Sequence, residues 1–378
     1  FRHLAVIVVI AIAVGLVFII SSGSGESPIK TLEPSEVARP EKVKFVAVQS
    51  EVNRETYSSR EAFREKIFAE MERADAEVSL GEDTLVAFPE DVGMLTVLFG
   101  QGDVLAEANG LADGMERVIR SNLISVGYHK FRYGVSWPRA VFMAFGDRMG
   151  EAYFEIFSEV ADRYDVYLVA GSTALSDATL RRFVPDDVPG AGDWKGGSDA
   201  RSVYNVSALF GPGGEVLGIQ RKVNLIDLEG PEGLDLSAAS RDELGTVATP
   251  LGEIGIAICL DAFDSGVLDQ LEDADILVQP SANPGPWERW QQEEWLESSW
   301  SAVVRQERFD VAVNPMLTGQ ILDVGFFGQS SIIAGGDISK SSHGYRDLEE
   351  LRGFLDVASD DRESGIVHAT IGAPSAGE

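Results

Sequence analysis

Gly255-Ile256-Ala257-Ile258-Cys259-Leu260-Asp261-Ala262-Phe263 carries the single cysteine of a 378-residue chain at the end of a short apolar run. Small and β-branched residues over about four to eight positions predict a buried strand, so Cys259 is expected where that strand leaves its sheet. A thiol at a strand exit is held by rigid backbone on one side and reachable from the other, which suits a nucleophile. A lone cysteine is also a small hydrophobe that fills cores. What else converges on it decides between the two.

Two further stretches bear on that choice. Thr84-Leu85-Val86-Ala87-Phe88-Pro89-Glu90-Asp91 is a β-rich run ending in carboxylates, and Gly218-Ile219-Gln220-Arg221-Lys222-Val223-Asn224 sets a lysine after the apolar end of another strand. With Cys259 they give the order Glu, Lys, Cys. That order resembles the nitrilase, or carbon-nitrogen hydrolase, superfamily. The resemblance runs from about Val43 to Gly335. It includes Val203-Tyr204-Asn205-Val206-Ser207-Ala208 with the Gly211-Pro212-Gly213-Gly214 turn, Ala274 to Ala282 after the cysteine, and Asn314 with Gly328-Gln329-Ser330-Ser331-Ile332-Ile333.

The resemblance implies an α/β fold, a four-layer α-β-β-α sandwich, and hydrolysis of a non-peptide C–N bond through a cysteine thioester. Amide cleavage needs a nucleophile, a proton carrier and positive charge where the carbonyl oxygen becomes negative. By analogy, Cys259 attacks, Glu90 takes and returns the proton, and Lys222 holds the oxyanion with the backbone N–H of Leu260. The family often carries a second glutamate after the lysine; Glu229 and Glu232 both qualify, and Glu232 is slightly preferred. Asp261 stands where some members, notably apolipoprotein N-acyltransferase, have an acidic residue, and a surface carboxylate explains it equally well. Acyl transfer to an amine is therefore the alternative activity, and an inactive surface binding module on the same fold is the third reading. Small amides or N-acyl compounds, with nitriles also open, are the expected substrates. A homodimer is the assembly common in the family.

Composition narrows the partners. A hydrophobic content of 44% is ample for a packed core, and 31 basic against 61 acidic residues give a formal charge of −30. Such a field repels phosphate backbones, so nucleic acid is not an expected partner. One cysteine excludes an internal disulfide, and His3, His129, His343 and His368 show no ligand spacing. No metal or cofactor is implied.

Leu4 to Ile20 is an unbroken apolar stretch of 17 residues after Arg2 and His3. As a helix it reaches about 25 Å, enough to span a slightly thinned bilayer. Residues 1–20 are accordingly expected to form one transmembrane helix, with a cleaved secretory signal as the rival reading. Either exports the remainder, because the positive flank stays on the cytoplasmic side. The expected product is a single-pass membrane protein with an extracytoplasmic catalytic domain, or a secreted one. Residues 21–42, rich in Ser, Gly, Pro and charge, read as a linker. Residues 43–342 form the hydrolase domain, and residues 343–378 an acidic tail without an assigned role.

Within the domain, residues 91–150 depart from the family pattern and read as an insertion. From Arg117 to Gly146 there is no Asp or Glu, where the average composition puts about five. Arg117, Arg120, Lys130, Arg132 and Arg139 are interleaved there with Tyr128, Phe131, Tyr133, Trp137, Phe142 and Phe145. Two readings stand: aromatics packed on the domain or a partner subunit, or a lid or membrane-facing arm beside the active site. Glu151 to Tyr164 and Trp287 to Phe309 have helical spacing. Asn205-Val206-Ser207 matches a glycosylation acceptor but lies inside an expected strand, which argues against modification.

Overall fold

The computed structural model describes residues 40–191, 200–336 and 343–372. Its first strand, β1 (Lys42–Val52), is followed by α1 (Arg60–Val78) and β2 (Thr84–Phe88). Ser59 caps α1 by accepting from the N–H of Ala62, as the serine-led start predicts. The region after β2 is helical: a 3-10 segment (Met94–Leu98), then α2 (Gly102–Ala106), α3 (Leu111–Ser121), α4 (Leu123–Tyr133) and α5 (Trp137–Tyr164). The helix expected from Glu151 therefore starts at Trp137, capped by Ser136. The basic-aromatic stretch flows into a main helix of the fold.

Next come β3 (Tyr167–Ala170), β4 (Thr173–Ser176), β5 (Val203–Phe210), β6 (Val216–Arg221), β7 (Thr246–Thr249) and β8 (Gly252–Ile256). A 3-10 turn (Cys259–Phe263) precedes β9 (Ile276–Val278) and β10 (Ser281–Ala282). The expected helix from Trp287 to Phe309 is shorter: α6 covers Arg289–Trp295, and a π-helical turn covers Ser301–Arg305. The chain continues through β11 (Val311–Asn314), β12 (Met316–Ile321), β13 (Val324–Phe326), β14 (Ser331–Ala334), β15 (Phe354–Val357) and β16 (Gly365–Gly372).

Among the described residues these strands make two sheets. A 10-stranded sheet has the order β10-β12-β1-β2-β3-β5-β4, with β13 on β12, β16 on β1 and β6 on β5; a 6-stranded sheet runs β15-β14-β11-β9-β8-β7. Alternation along the strands builds the layers. Val46 and Val48 of β1, with Val86 and Phe88 of β2, pack into one core with Phe63 and Ile67 of α1 and with Tyr153 and Phe157 of α5. Val43, Phe45, Leu85 and Ala87 point the other way, into a second core with Ile254, Ile276, Val313 and Ile332 of the smaller sheet. Trp295 and the 302–304 segment join the same core, the latter against β14. The two sheets thus face each other across one core, and α1 and α5 pack in the other.

The segment expected to be a tail belongs to the domain. β16 pairs antiparallel with β1 from Lys42↔Gly372 to Gln49↔Gly365, so the folded unit extends past residue 342 to Gly372. Its short sequence gave little sign of this, because apolar and polar residues do not alternate cleanly and only Val367 and Ile371 of its eight residues are buried. The apolar stretch from Leu4 to Ile20 lies outside the described residues. Among the described residues no helix is long and apolar enough to cross a membrane.

Candidate active site

Three strand ends from the two sheets meet at one place. Glu90 stands two residues beyond β2, where a tight turn is held from behind. The N–H of Asp91 donates to Ser172 Oγ at 3.0 Å, and that of Gly93 to the Ser172 carbonyl at 2.9 Å. Asp91 itself has φ +64°. Gly171, at φ +63°, lets this support approach: a Cβ there would stand 2.0 Å from the Pro89 carbonyl oxygen. Lys222 directly follows β6; its N–H donates to the Asn205 carbonyl at 2.8 Å, and its own carbonyl accepts from Ala239 N–H at 2.9 Å. Cys259 begins the 3-10 turn after β8 with φ +50°, a left-handed backbone that a residue with a Cβ adopts at a cost.

The side chains converge. Lys222 Nζ donates to Glu90 Oε1 and to Glu229 Oε2, both at 2.6 Å. Asn205 Nδ2 bridges the same two carboxylates, at 3.0 Å to Glu90 and 2.9 Å to Glu229. Ala282 N–H donates to Glu90 Oε2 at 3.1 Å, and Cys259 Sγ lies 3.8 Å from the Ala282 carbonyl oxygen. The Glu90 carboxylate lies close enough to the thiol for each to shift the other's pKa. Lys222 is 1% exposed and Cys259 5%. Beneath them Gln279 Nε2 donates to the Cys259 carbonyl at 3.3 Å, and Asn314 Nδ2 donates to the Gln279 carbonyl at 2.6 Å.

Burial sets the electrostatics. Loss of water pushes Glu90 up to about 7, the Glu229 charge adds to the rise, and Lys222 opposes it. Burial works against the Lys222 ammonium, but the carboxylates of Glu90 and Glu229 outweigh it and hold its pKa well above the ordinary lysine value. Burial, then Glu90, raises the Cys259 thiol well above the usual range. The resting thiol is therefore protonated, beside a carboxylate that titrates near neutrality. Such a site can pass one proton between sulfur and carboxylate while a fixed ammonium waits for negative charge. Among the described residues no group of three or more His, Cys, Asp or Glu is placed to hold a metal.

Residues 122–335, more than half of the chain, match the family described as Carbon-nitrogen hydrolase. The chain belongs to that family. Lys222, Glu229 and Cys259 fall within the matched part, whereas Glu90 lies before it. Human omega-amidase NIT2 is 28% identical over 142 residues, 35% of this chain and 44% of that protein. Hydrolase C26A3.11 of Schizosaccharomyces pombe is 26% identical over 121 residues, 31% and 35% of the two chains. The chain thus spans about half the length of the curated relatives it matches. Nit3 of Saccharomyces cerevisiae, from the nitrilase superfamily, superimposes with a TM-score of 0.51 at 17% identity, covering 88% of this chain and 90% of that one. An amidase from Nesterenkonia sp. AN1 in complex with butyramide gives 0.51 at 13% identity, covering 88% and 91%. These two likenesses show a shared fold.

In this carbon-nitrogen hydrolase the residues singled out from sequence fall into three groups. Glu90, Lys222 and Cys259 are brought together. Of the two candidate glutamates the structure seats Glu229 on Lys222 and leaves Glu232 exposed, reversing the preference. The reason is local: the Ile226–Gly230 turn points the Glu229 carboxylate back to its own Ile226 N–H at 3.0 Å. Asp261 is no surface carboxylate. It is 0% exposed and accepts from the N–H groups of Val223 (3.1 Å) and Asn224 (2.7 Å), clamping the chain just after Lys222. Leu260 lies in the first turn of the 3-10 segment, where backbone N–H groups have no intrahelical partner. Asn205 was passed over as a catalytic neighbour, although asparagine is unusual inside a strand and that was the available signal. Fully buried, it is unavailable to a glycan.

Proposed function

We propose that this family member hydrolyses the C–N bond of small amides through a thioester on Cys259. The observation that carries this is the shared ammonium: Lys222 Nζ stands 2.6 Å from both Glu90 and Glu229, with the Cys259 thiol within electrostatic reach of Glu90 and Lys222. Cys259 Sγ bonds to the substrate carbonyl carbon as its proton passes to Glu90. Two of the three Lys222 N–H groups serve the carboxylates, leaving one for the oxyanion, together with the Leu260 N–H. The C–N bond then breaks as Glu90 returns the proton to the leaving nitrogen. Water attacks the thioester, its proton goes to Glu90, and the carboxylic acid departs as the thiol is restored. Glu229 and Asn205 hold Lys222 and Glu90 in place.

The amphipathic helix α4 and the apolar N-terminal stretch support a site of action at a membrane surface, with the domain exported. Ile124, Tyr128 and Phe131 lie one and two turns apart and are 93%, 46% and 80% exposed. Exposed Arg132 and Arg120 flank them, Arg120 ion-paired to Glu116 just outside the acid-free stretch, so an anionic lipid surface complements the patch chiefly at Arg132. Of the segment's other aromatics, Phe142 and Phe145 are buried in the core, and Tyr133 and Trp137 pack against it partly buried.

Intact-mass spectrometry after exposure to a panel of amides tests the chemistry. The expected result is a mass increase equal to the substrate's acyl group, absent in Cys259→Ala, with free acid in solution. An N-acyl product formed when an amine is supplied marks transfer instead of hydrolysis, and the absence of any adduct refutes the thioester.

A further inference from the structure

A second space lies near the two carboxylates: Asp91, in its wall, is within electrostatic reach of Glu90, Glu229 and Lys222. It is a cavity of about 90 Å³ built largely from the helical insertion, with Leu105, Met115, Val118, Val141 and Phe142 in its wall and Phe326 closing it. Asp91 and Leu228 also line it. Asp91 follows Glu90 in the chain and Leu228 precedes Glu229, so the wall begins one residue away from each carboxylate that holds Lys222. Apart from Asp91 every lining residue is apolar or glycine, and none carries positive charge.

We propose that this cavity receives the acyl chain of the substrate and makes the enzyme selective for uncharged aliphatic amides over those whose acyl group bears a carboxylate. The inference rests on the reading of Cys259 as nucleophile, because the acyl half is then the part left on the protein. An apolar cavity of about 150 Å³ takes up benzene, so the volume here suits a chain of roughly four carbons. A second carboxylate entering it would be desolvated with no cation to meet it, beside Glu90 and Glu229. Asp91 does not supply a counter-charge. Its Oδ1 is sealed from solvent without a hydrogen-bond partner, and burial, then the neighbouring Glu90, raises its pKa well above the usual carboxylate value. The neutral acid is the form compatible with an apolar wall, and it can donate to an oxygen on the ligand but cannot neutralise an anion.

Calorimetric titration of the full chain carrying Cys259→Ala with straight-chain amides from acetamide to octanamide tests the assignment. Affinity should rise about fourfold per methylene, the burial gain of one CH₂, until the cavity is full, and then level off. Succinamate, which ends in a carboxylate, should bind at least about tenfold more weakly than pentanamide. Adding Val118→Phe, with its melting transition as the check on folding, should abolish the rise with chain length; Met115→Trp is a second filling substitution. A flat series, equal binding of succinamate, or a rise that survives either filling variant overturns the proposal. The two readings fail separately. Acylation of the unmutated protein together with a flat series removes only the chain site, whereas a rising series with no acyl adduct leaves the cavity as a binding site and removes the nucleophile.

Discussion

Replacing Glu229 by Gln should move the pH dependence of Cys259 reactivity in a direction that a structural role alone does not predict. Glu229 and Glu90 touch the same Nζ, so their bonded oxygens cannot be further apart than twice 2.6 Å. At about 5 Å and an effective dielectric of about 20, two such charges repel by about 3 kcal/mol, which is about 2 pH units. Part of the rise of Glu90 to about 7 comes from this repulsion, and burial supplies the larger share. The sign follows: without the Glu229 charge Glu90 releases its proton more easily, so the acid limb falls to lower pH, by at most about 2 units. Gln keeps the size of the side chain and an oxygen for Lys222 and the Ile226 N–H. Its NH₂ replaces the acceptor of Asn205 Nδ2, so Asn205→Ala is run beside it to separate the lost hydrogen bond from the lost charge. Because Cys259 is the only cysteine, alkylation by iodoacetamide followed by intact mass reports this site alone. The unmodified protein should gain reactivity as pH rises through about 7, and the variant should do so earlier. An acid limb that stays in place or moves upward refutes the coupling of the two carboxylates through Lys222.

Three further outcomes are expected. Asp261→Ala leaves the half-buried N–H groups of Val223 and Asn224 without their acceptor, so urea unfolding should show a loss of roughly 1–3 kcal/mol, with slower alkylation of Cys259. A loss within the range of surface substitutions would mean the clamp does not matter. Because Cys259 sits at φ +50°, Cys259→Gly should be more stable than Cys259→Ala by roughly 1 kcal/mol in the same assay, and an Ala variant of equal or greater stability would show that the turn is unstrained. Ile124→Glu with Phe131→Glu should lower binding to phosphatidylserine vesicles at least about tenfold and leave the melting transition unchanged, since both side chains are largely exposed. Undiminished binding would take α4 out of any membrane contact.

The covalent order of the chain carried much of this. Strands over 84–88 and 203–210, the helix opening after Ser59, and the positions of Glu90, Lys222 and Cys259 were legible because each depends on neighbours a few residues away: alternation, a capping serine, a reactive side chain just past an apolar run. Other features depend on residues far apart in sequence, and no local pattern encodes them. The choice of Glu229 over Glu232 was made by a turn that aims one carboxylate at an ammonium delivered from β6. The burial of Asp261 follows from a clamp on a loop 37 residues upstream. The place of the last strand was decided by β1, more than 300 positions away, which supplied the hydrogen bonds that a short, largely exposed segment could not find alone. The cavity beside Glu90 belongs to the same class, since an apolar helix face reads alike whether it fills a core or leaves a space, and only packing distinguishes the two.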